Sequence, residues 1–376
     1  MLIEVPQPIL AEALQHVIKA VSANCPIPIM SGILLRANRD GLTLVSGNSS
    51  MMVQYEIPAT ENVNVQRTGS IVIPAKYFSE IIRKFPAGVV TLEMKEPLII
   101  TIQSGNAVYR LCGMDAEHFP QMPEINDGIQ AHISSTALRN MIRHVVFAVS
   151  PSEKRPVLTG VSCQIDRDGN LRFLATDSVR LASRLTRVSL AQDMVIPPAI
   201  IIPGKNVHEL SKMLNEEQEM VEITIGKSQI GFRTKNLLFQ SALIDGSYPS
   251  VDRSIPQTHS TELIVDSVEL LHAMERVSLL AGDDNMIQLS INEHNDIELI
   301  SNTAEIGDVL EGVHAEEMSG ERLSICFNGN YMKDILRSVD SAKLRLACSG
   351  KWKPIVVQPV DDTESTYMIT PLRSHM

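Results

Sequence analysis

The sequence predicts an α+β protein made of three tandem copies of one domain, each with two helices packed on antiparallel sheets. Two recurring phrases predict it. Ile73-Pro74-Ala75-Lys76 and Ile202-Pro203-Gly204-Lys205 each open an apolar helical pattern, and Cys326-Phe327-Asn328 opens a third. The steps between them are 129 (203 − 74) and 125 (328 − 203). In nearly the same register, Leu42-Thr43-Leu44-Val45-Ser46-Gly47-Asn48 is echoed by Leu171-Arg172-Phe173-Leu174-Ala175-Thr176-Asp177 and by Ile297-Glu298-Leu299-Ile300-Ser301-Asn302-Thr303. A period this long lets each copy bury its own core, which a solenoid unit cannot do. The copies are placed at residues 1–127, 128–256 and 257–376.

Each copy begins with a strand that feeds an amphipathic helix. In the first, Ile9, Leu10, Ala13, Leu14, Val17 and Ile18 recur at helical spacing, while Glu12, Gln15 and Lys19 fall off the stripe. In the second, Ser134-Ser135 supplies the N-cap of a stripe through Leu138, Met141, Ile142, Val145 and Val149. The third starts at Asp266 or Ser267 and runs through Leu270, Leu271, Met274, Val277 and Leu280 to Ala281. Hairpin signals follow at Arg39-Asp40-Gly41 and Asp168-Gly169-Asn170. The helix after each marker phrase is apolar at Tyr77, Phe78, Ile81, Ile82 and Phe85, then at Val207, Leu210, Met213 and Leu214, then at Tyr331, Ile335, Leu336 and Val339. Alternating segments such as Val221 to Ile225 close each copy as strands. Linkers are expected near Met122 to Gly128 and Ile255 to Ser260, where Pro, Gly, Asn and Asp cluster.

Bulk properties exclude several classes. No apolar run is long enough to span a bilayer, and Met1 to Val5 lacks a secretory pattern, so a cytoplasmic address is expected. Five cysteines without a CxxC pair read as reduced core thiols rather than a disulfide framework or zinc site. A formal net charge of −11 argues against a general nucleic-acid coat, so any DNA contact must come from a local surface.

Such a surface is visible on the polar faces of the helices. Lys76 and Arg83 lie seven apart with Lys84 beside them, Arg139 and Arg143 lie four apart, and Lys205, His208 and Lys212 follow i, i+3, i+7. Copy three repeats the theme with His272 and Arg276, then Lys333 and Arg337. Glu80, Glu209 and Asp334 are interspersed, so an ordinary solvated face is one reading. The other is a positive surface that tracks phosphates without reading bases.

Catalytic constellations are missing. Gly226-Lys227-Ser228 has Val221 where a phosphate loop needs its first glycine, and Asp166 to Asn170 carries its glycine too early for a calcium loop and reads as a hairpin turn. His208-Glu209 lacks the second histidine of a zinc-protease helix. Asn48-Ser49-Ser50 is a formal glycosylation sequon expected to stay unmodified.

The threefold order, the phrase Ala175-Thr176-Asp177-Ser178-Val179-Arg180-Leu181-Ala182, the segment Asp245-Gly246-Ser247-Tyr248-Pro249 and the C-terminal Pro371-Leu372-Arg373 together resemble the bacterial DNA polymerase III beta subunits, the replicative sliding clamps, over essentially the whole chain. The resemblance implies a head-to-tail ring of two chains around duplex DNA. Helices would line the hole, the clamp would have no catalytic role, and neither nucleotide nor metal would be needed. Lys19, Lys76, Arg83, Lys84, Arg139, Arg143, Lys205, Lys212, Arg276, Lys333 and Arg337 would then face DNA. Contacts held by topological closure can be weak and water-bridged, which permits sliding.

The same resemblance implies an apolar pocket for partner peptides. It would be built from Arg155, Val157, Leu158, Thr176, Ser178, Val179, Arg180, Leu181, Pro249, Val251 and Arg253, closed by Met368, Ile369, Pro371, Leu372 and Arg373, and flanked by Asn328 and Tyr331. Read without the resemblance, Leu158 and Leu181 are core. Implied partners are the replicative polymerase alpha subunit, the clamp loader, repair polymerases and mismatch-repair proteins. At the ring seam Tyr109 and Leu111 would meet Leu279 and Leu280. The chain departs from the family pattern at Val179, Ser254 and Thr370, at Asn24 where relatives often carry a basic DNA contact, and in the extension Ser374 to Met376. These departures bear on peptide preference, and a specialised or paralogous adaptor that binds peptides without encircling DNA is the alternative.

Overall fold

The computed structural model describes residues 1–22, 27–125, 128–190, 199–214, 219–292, 294, 296–303 and 306–373. Asn24, Cys25, parts of the linker at Asn126 and Asp127, and the extension Ser374 to Met376 lie outside them.

The repeat is explicit in the element order. Copy one runs β1 (Leu2–Pro6), α1 (Gln7–Val17), β2 (Gly32–Asn38), β3 (Gly41–Gly47), β4 (Met51–Pro58), β5 (Asn64–Arg67), β6 (Gly69–Pro74), α2 (Ala75–Lys84), β7 (Val89–Glu96), β8 (Ile99–Ser104) and β9 (Ala107–Cys112). Copy two has the same order: β10 (Ile129–Ser134), α3 (Ser135–Val145), β11 (Gly160–Ile165), β12 (Asn170–Thr176), β13 (Arg180–Arg187), β14 (Ser189–Leu190), β15 (Ile200–Pro203), α4 (Gly204–Ser211), β16 (Met220–Ile225), β17 (Gln229–Arg233) and β18 (Leu237–Ala242). So does copy three: β19 (Thr261–Asp266), α5 (Ser267–Val277), β20 (Met286–Ile291), β21 (Ile297–Thr303), β22 (Gly307–Val313), β23 (Ala315–Gly320), β24 (Ser324–Asn328), α6 (Gly329–Ser338), β25 (Lys343–Cys348), β26 (Ile355–Pro359) and β27 (Ser365–Ile369). Each copy closes with three strands where the alternating pattern identified one.

Sheet pairing joins the copies. The last strand of copy two pairs with copy one, β18 on β4, to make a nine-stranded antiparallel sheet in the order β14-β10-β16-β17-β18-β4-β3-β2-β6. The last strand of copy three does the same to copy two, β27 on β13, in the order β15-β11-β12-β13-β27-β26-β25-β19-β23. The remaining sheets are β5-β1-β7-β8-β9 and β22-β21-β20-β24. Because hydrogen bonds run across the copies, the chain divides into two compact units. One holds Met1–Thr136, Ser189–Val195 and Glu209–Leu243, and the other holds Ala137–Val188, Ile196–His208 and Ile244–Met376.

Local chemistry explains the helix starts and stops. Pro8 lies in the first turn of α1, and the Asp266 carboxylate accepts from Val268 and Glu269 N–H to cap α5. Gly329 opens α6 so close to β20 that an added Cβ would stand 2.4 Å from Ile287 Cδ1. The marker phrase ending β3 and β21 fastens the helix before it. Ser46 Oγ donates to the Val17 carbonyl and Asn48 Nδ2 to Ala20, and correspondingly Ser301 Oγ donates to Val277 and Thr303 Oγ1 to Leu280. These are carbonyls that a helix C-terminus leaves without partners.

The apolar stripes are buried as expected at Leu10, Ala13, Leu14, Val17, Leu138, Met141, Ile142, Leu270, Met274 and Val277. Two assignments are corrected: Ile9 is on the rim and Tyr77 is 60% exposed, because α2 buries Phe78 and Ile82 instead. Cys163, Cys326 and Cys348 are buried thiols, and burial pushes Cys163 and Cys348 up to about 12. Cys112, at the end of edge strand β9, is exposed rather than core. Asp166 holds its hairpin through Asp168 N and Asn170 N, each at 2.9 Å, and Asn48 makes a turn, so both have structural work.

Two histidines at matching helix positions are buried and neutral. His16 stacks on Tyr55 at 5.0 Å, and His144 Nδ1 lies 2.6 Å from the Tyr367 hydroxyl. Burial first, then the charge of Lys19, lowers His16 to about 4; burial, then Arg184 and Arg143, lowers His144 to about 4. The unfolded chain takes up these protons below its ordinary value of 6.5, whereas the folded chain resists until about 4. Stability is therefore complete above 6.5 and lost as pH falls through that window, on the order of 3 kcal/mol per histidine by its lower end. Urea midpoints should fall steeply between neutral and acidic pH, and substituting Phe for His16 should flatten part of that slope.

Candidate functional site

In the unit that contains copy three, β12 runs into a tight turn. Asp177 Oδ1 accepts from Val179 N and Arg180 N at 2.9 Å each, which holds Ser178 in the left-handed region at φ 81. Thr176 Oγ1 accepts from Ser178 N at 3.1 Å and donates to the Arg180 carbonyl at 2.6 Å. Thr370 N donates to the Val179 carbonyl at 2.8 Å, drawing the C-terminal segment against the turn. Beneath it Leu174, Leu181 and Met368 pack together, with Tyr248, Val251 and Ile255 against them. Leu158, Thr176 and Ile369 are also buried.

Tyr248 ties this floor together, since its oxygen accepts from Thr176 N at 3.0 Å and its O–H donates to the Gly160 carbonyl at 3.4 Å. Burial raises its phenol to about 12, so the O–H persists as a donor. A cavity of about 180 Å³ opens beside it, lined by Leu174, Arg172, Gln164, Pro249 and Val251 among others. Of the residues expected at a pocket, Arg155, Ser178, Arg253 and Arg373 are exposed, whereas Val157, Val179, Pro249, Val251, Pro371 and Leu372 are half-buried around the floor. Leu372 is anchored by its N–H to the Cys326 carbonyl at 2.7 Å, and Asn328 caps α6 by accepting from Asn330 N.

Arg180 joins copy two to copy three. Its guanidinium lies 4.4 Å over the Tyr331 ring and 5.6 Å over Phe147. It also pairs with Asp177 at 3.1 Å and Asp334 at 2.6 Å. Tyr248, Leu174, Asp177, Asp334 and Phe147 were not singled out from sequence as site residues. The Tyr248-Pro249 pair could have been found, because Phe119-Pro120 repeats it in copy one.

The helical cations divide by partner. Lys76, Arg83, Lys84 and Lys205 are exposed, with no carboxylate in ion-pair range among the described residues. Arg143 pairs with Asp340, Lys212 with Glu209, Arg276 with Glu311 and Arg337 with Glu275. Arg139 and Lys333 are half-buried. Lys19 is half-buried too: its Nζ donates to the Lys212 carbonyl at 2.6 Å, and burial lowers its pKa. It therefore serves the join between copies one and two before it can serve a ligand.

Of the residues expected at a ring seam, Tyr109 and Leu111 lie on a strand edge and Leu279 and Leu280 in a turn. Tyr109 and Leu111 are on β9, which ends its sheet, with Tyr109 5.6 Å from Phe85. Leu279 is 81% exposed in the turn after α5, next to Leu280, while β22 ends the other short sheet. Exposed apolar side chains gather on these edges at Val108, Tyr109, Ile306 and Leu310. No helix among the described residues is long and apolar enough to cross a membrane, and no cluster of three metal-ligating side chains occurs among them.

The chain matches the DNA polymerase III beta subunit family over three segments: the N-terminal domain at residues 1–123, the central domain at 132–250 and the C-terminal domain at 252–373. It is 39% identical to the beta sliding clamp of Bacillus subtilis, covering 97% of this chain and 98% of that one, and 35% identical to that of Staphylococcus aureus, covering 96% of each. The crystal structure of the Bacillus subtilis DNA polymerase sliding clamp superposes with a TM-score of 0.94 at 38% identity over the whole of both chains. A Pseudomonas aeruginosa sliding clamp bound to griselimycin superposes at 0.91 with 25% identity, also over the whole of both.

Arg180→Met should leave Asp177 and Asp334 without their cation and cost on the order of 2 kcal/mol. A fall in urea midpoint that Asp334→Asn largely removes in the double variant would establish the coupling; independent, additive losses would count against it.

Proposed function

The chain belongs to the DNA polymerase III beta subunit family, the bacterial sliding clamps, and we propose that two copies close head to tail through β9 and β22 to form its ring. It is a non-catalytic DNA sliding clamp that confers processivity on the replicative polymerase. Family membership favours this over an adaptor that has given up DNA.

One observation carries the ring reading: the repeat has three possible joins, and one chain makes two of them. The last strand of copy two sits on β4 and that of copy three on β13, whereas β9, the last strand of copy one, has no such neighbour and β22 offers the vacant edge. The register transfers. Phe239 faces Val53 and Tyr367 faces Ala182 in the existing joins. Ladder positions make Tyr109 the counterpart of Phe239 and Tyr367, and Val309 that of Val53 and Ala182. Tyr109 then opposes Val309 of a second copy, Val108 opposes Leu310, and Arg110 opposes Asp308. Apolar meets apolar and cation meets anion. The turns after α1, α3 and α5 agree, for Lys19 bonds Lys212 and Phe147 touches Tyr367 at 6.2 Å, while their counterpart Leu279 lacks a neighbour of this kind.

The cations that lack carboxylates, Lys76, Arg83, Lys84 and Lys205, form the proposed phosphate track. The paired cations, with Arg139 and Lys333, add diffuse positive potential, and Lys19 is placed at a join. The floor of Leu174, Leu181 and Met368 beneath Thr176 and Val179 is proposed to take partner peptides, with Arg155 and Arg253 at its rim. Met368 packs within that floor, and an unbranched thioether can rotate to admit an anchor. The polymerase alpha subunit, the clamp loader, repair polymerases and mismatch-repair proteins are the proposed docking partners, in the cytoplasm. The domains are proposed at 1–127, 128–256 and 257–376.

Arg110→Asp or Asp308→Arg should each shift the sized particle from dimer toward monomer, and the double charge exchange should restore the dimer. Retention on nicked circular DNA should exceed retention on linear DNA for the dimer; equal retention on both would sink the ring.

Replacing Lys76, Arg83, Lys84 and Lys205 with Gln should reduce the slope of log affinity against log salt by up to about 3–4 while the dimer stays intact. An unchanged slope would remove these residues from the track.

A further inference from the structure

The join between copies one and two carries a cavity of about 270 Å³ whose lining includes Met30, Met51, Met52, Pro120, Gln229 and Gln240. Its position follows from the repeat. Gln240 pairs with Met52 across β18 and β4, as Met368 pairs with Leu181 across β27 and β13. Met30 stands two residues before β2 and Leu158 two before β11, and Phe119-Pro120 corresponds to Tyr248-Pro249. The cluster under it, Met30, Val45, Met52 and Phe119, answers to Leu158, Leu174, Leu181 and Tyr248. The cavity is therefore the counterpart, at the first join, of the peptide floor at the second.

We propose that this cavity is a second peptide site, which takes a short, extended, uncharged segment with one Leu- or Met-sized anchor. The inference rests on reading the floor at the second join as a peptide pocket. Three observations define the occupant. Thioether side chains at Met30, Met51 and Met52 are unbranched and adapt to an aliphatic anchor. No lining side chain carries a charge, in contrast to the second join with Arg155 and Arg253 at its rim, so a charged segment gains nothing here. Gln240 is 8% exposed; its Nε2 donates to the Pro123 carbonyl at 2.9 Å, yet its Oε1 is buried without a donor among the described residues. A backbone N–H from an extended peptide supplies the donor that this acceptor lacks.

The test uses the full-length protein with carbon-13 methyl-labelled methionine and the probe acetyl-Gly-Leu-Ser-Leu-Gly-amide. Saturable shifts of Met30, Met51 and Met52, beside those of Met368, are expected. Ser49→Trp, at an exposed rim position, should weaken the first set at least tenfold and leave Met368 unchanged. Shifts confined to Met368 would overturn the second site while leaving the pocket at the second join standing. Shifts at none of the four would overturn both readings, and a first set indifferent to Ser49→Trp would place the binding elsewhere and overturn this one.

Discussion

Backbone hydrogen bonding at strand edges is the constraint on which the molecule depends. A sheet of five strands and a sheet of four each end in rows of donors and acceptors, and an exposed row invites pairing. Within the chain this is resolved twice, by β18 on β4 and by β27 on β13, which turns short sheets into nine-stranded ones. The element order is identical in all three copies, so β9 and β22, the counterparts of the strands that make the two internal joins, are left at sheet ends. In the proposed ring a second chain would pair with both in the same geometry. Closure would then need no special interface, since it would repeat the internal join between molecules, with the exposed Leu279, Tyr109 and Leu310 as its apolar surface.

The joins share a backbone pattern and differ in side chains, and the differences locate function. Asn48 and Asp177 hold the equivalent turns alike, each Oδ1 accepting from the N–H groups two and three residues on, but the amide's Nδ2 reaches back to the Ala20 carbonyl whereas the carboxylate's Oδ2 pairs with Arg180. The carboxylate holds the Arg180 guanidinium in the second join, where Tyr331, Phe147 and Asp334 gather around it. The first join has Met51 at the corresponding position and stays neutral. One scaffold thereby carries one charged and one uncharged recess.

Much of this was legible in the sequence. Both marker phrases report physical needs: one sets a strand close against a helix start, and the other ends in hydroxyl or amide groups that cap helix carbonyls. Periodicity located the six α-helices found among the described residues. It erred at Tyr77 and Ile9, because a stripe identifies residues that could be buried and packing chooses among them. Periodicity made Leu158, Leu181 and Met368 legible only as apolar, and the family resemblance alone grouped them into a pocket, since their proximity depends on the β13–β27 pairing of residues far apart in sequence. Tyr248, Asp334 and Phe147 were missed for the same reason. Lys19 looked like any helical cation until the Lys212 carbonyl beside it became visible.

The electrostatics suit motion along a polymer better than residence on it. A net charge of −11 repels nucleic acid from most of the surface, leaving local cations to act. Among the described residues Arg143, Lys212, Arg276 and Arg337 are held by carboxylates, so in the proposed DNA contact a phosphate would compete for each instead of finding it vacant. Such contacts exchange readily and are individually weak, near the scale of exposed ion pairs at about 0–1 kcal/mol. A protein relying on them for affinity would dissociate in ordinary salt. A clamp held by topology meets no such limit, and weak contacts then smooth the path, because leaving one phosphate costs little more than reaching the next returns. On the proposed track, acids beside the bases would lower affinity where affinity would hinder sliding.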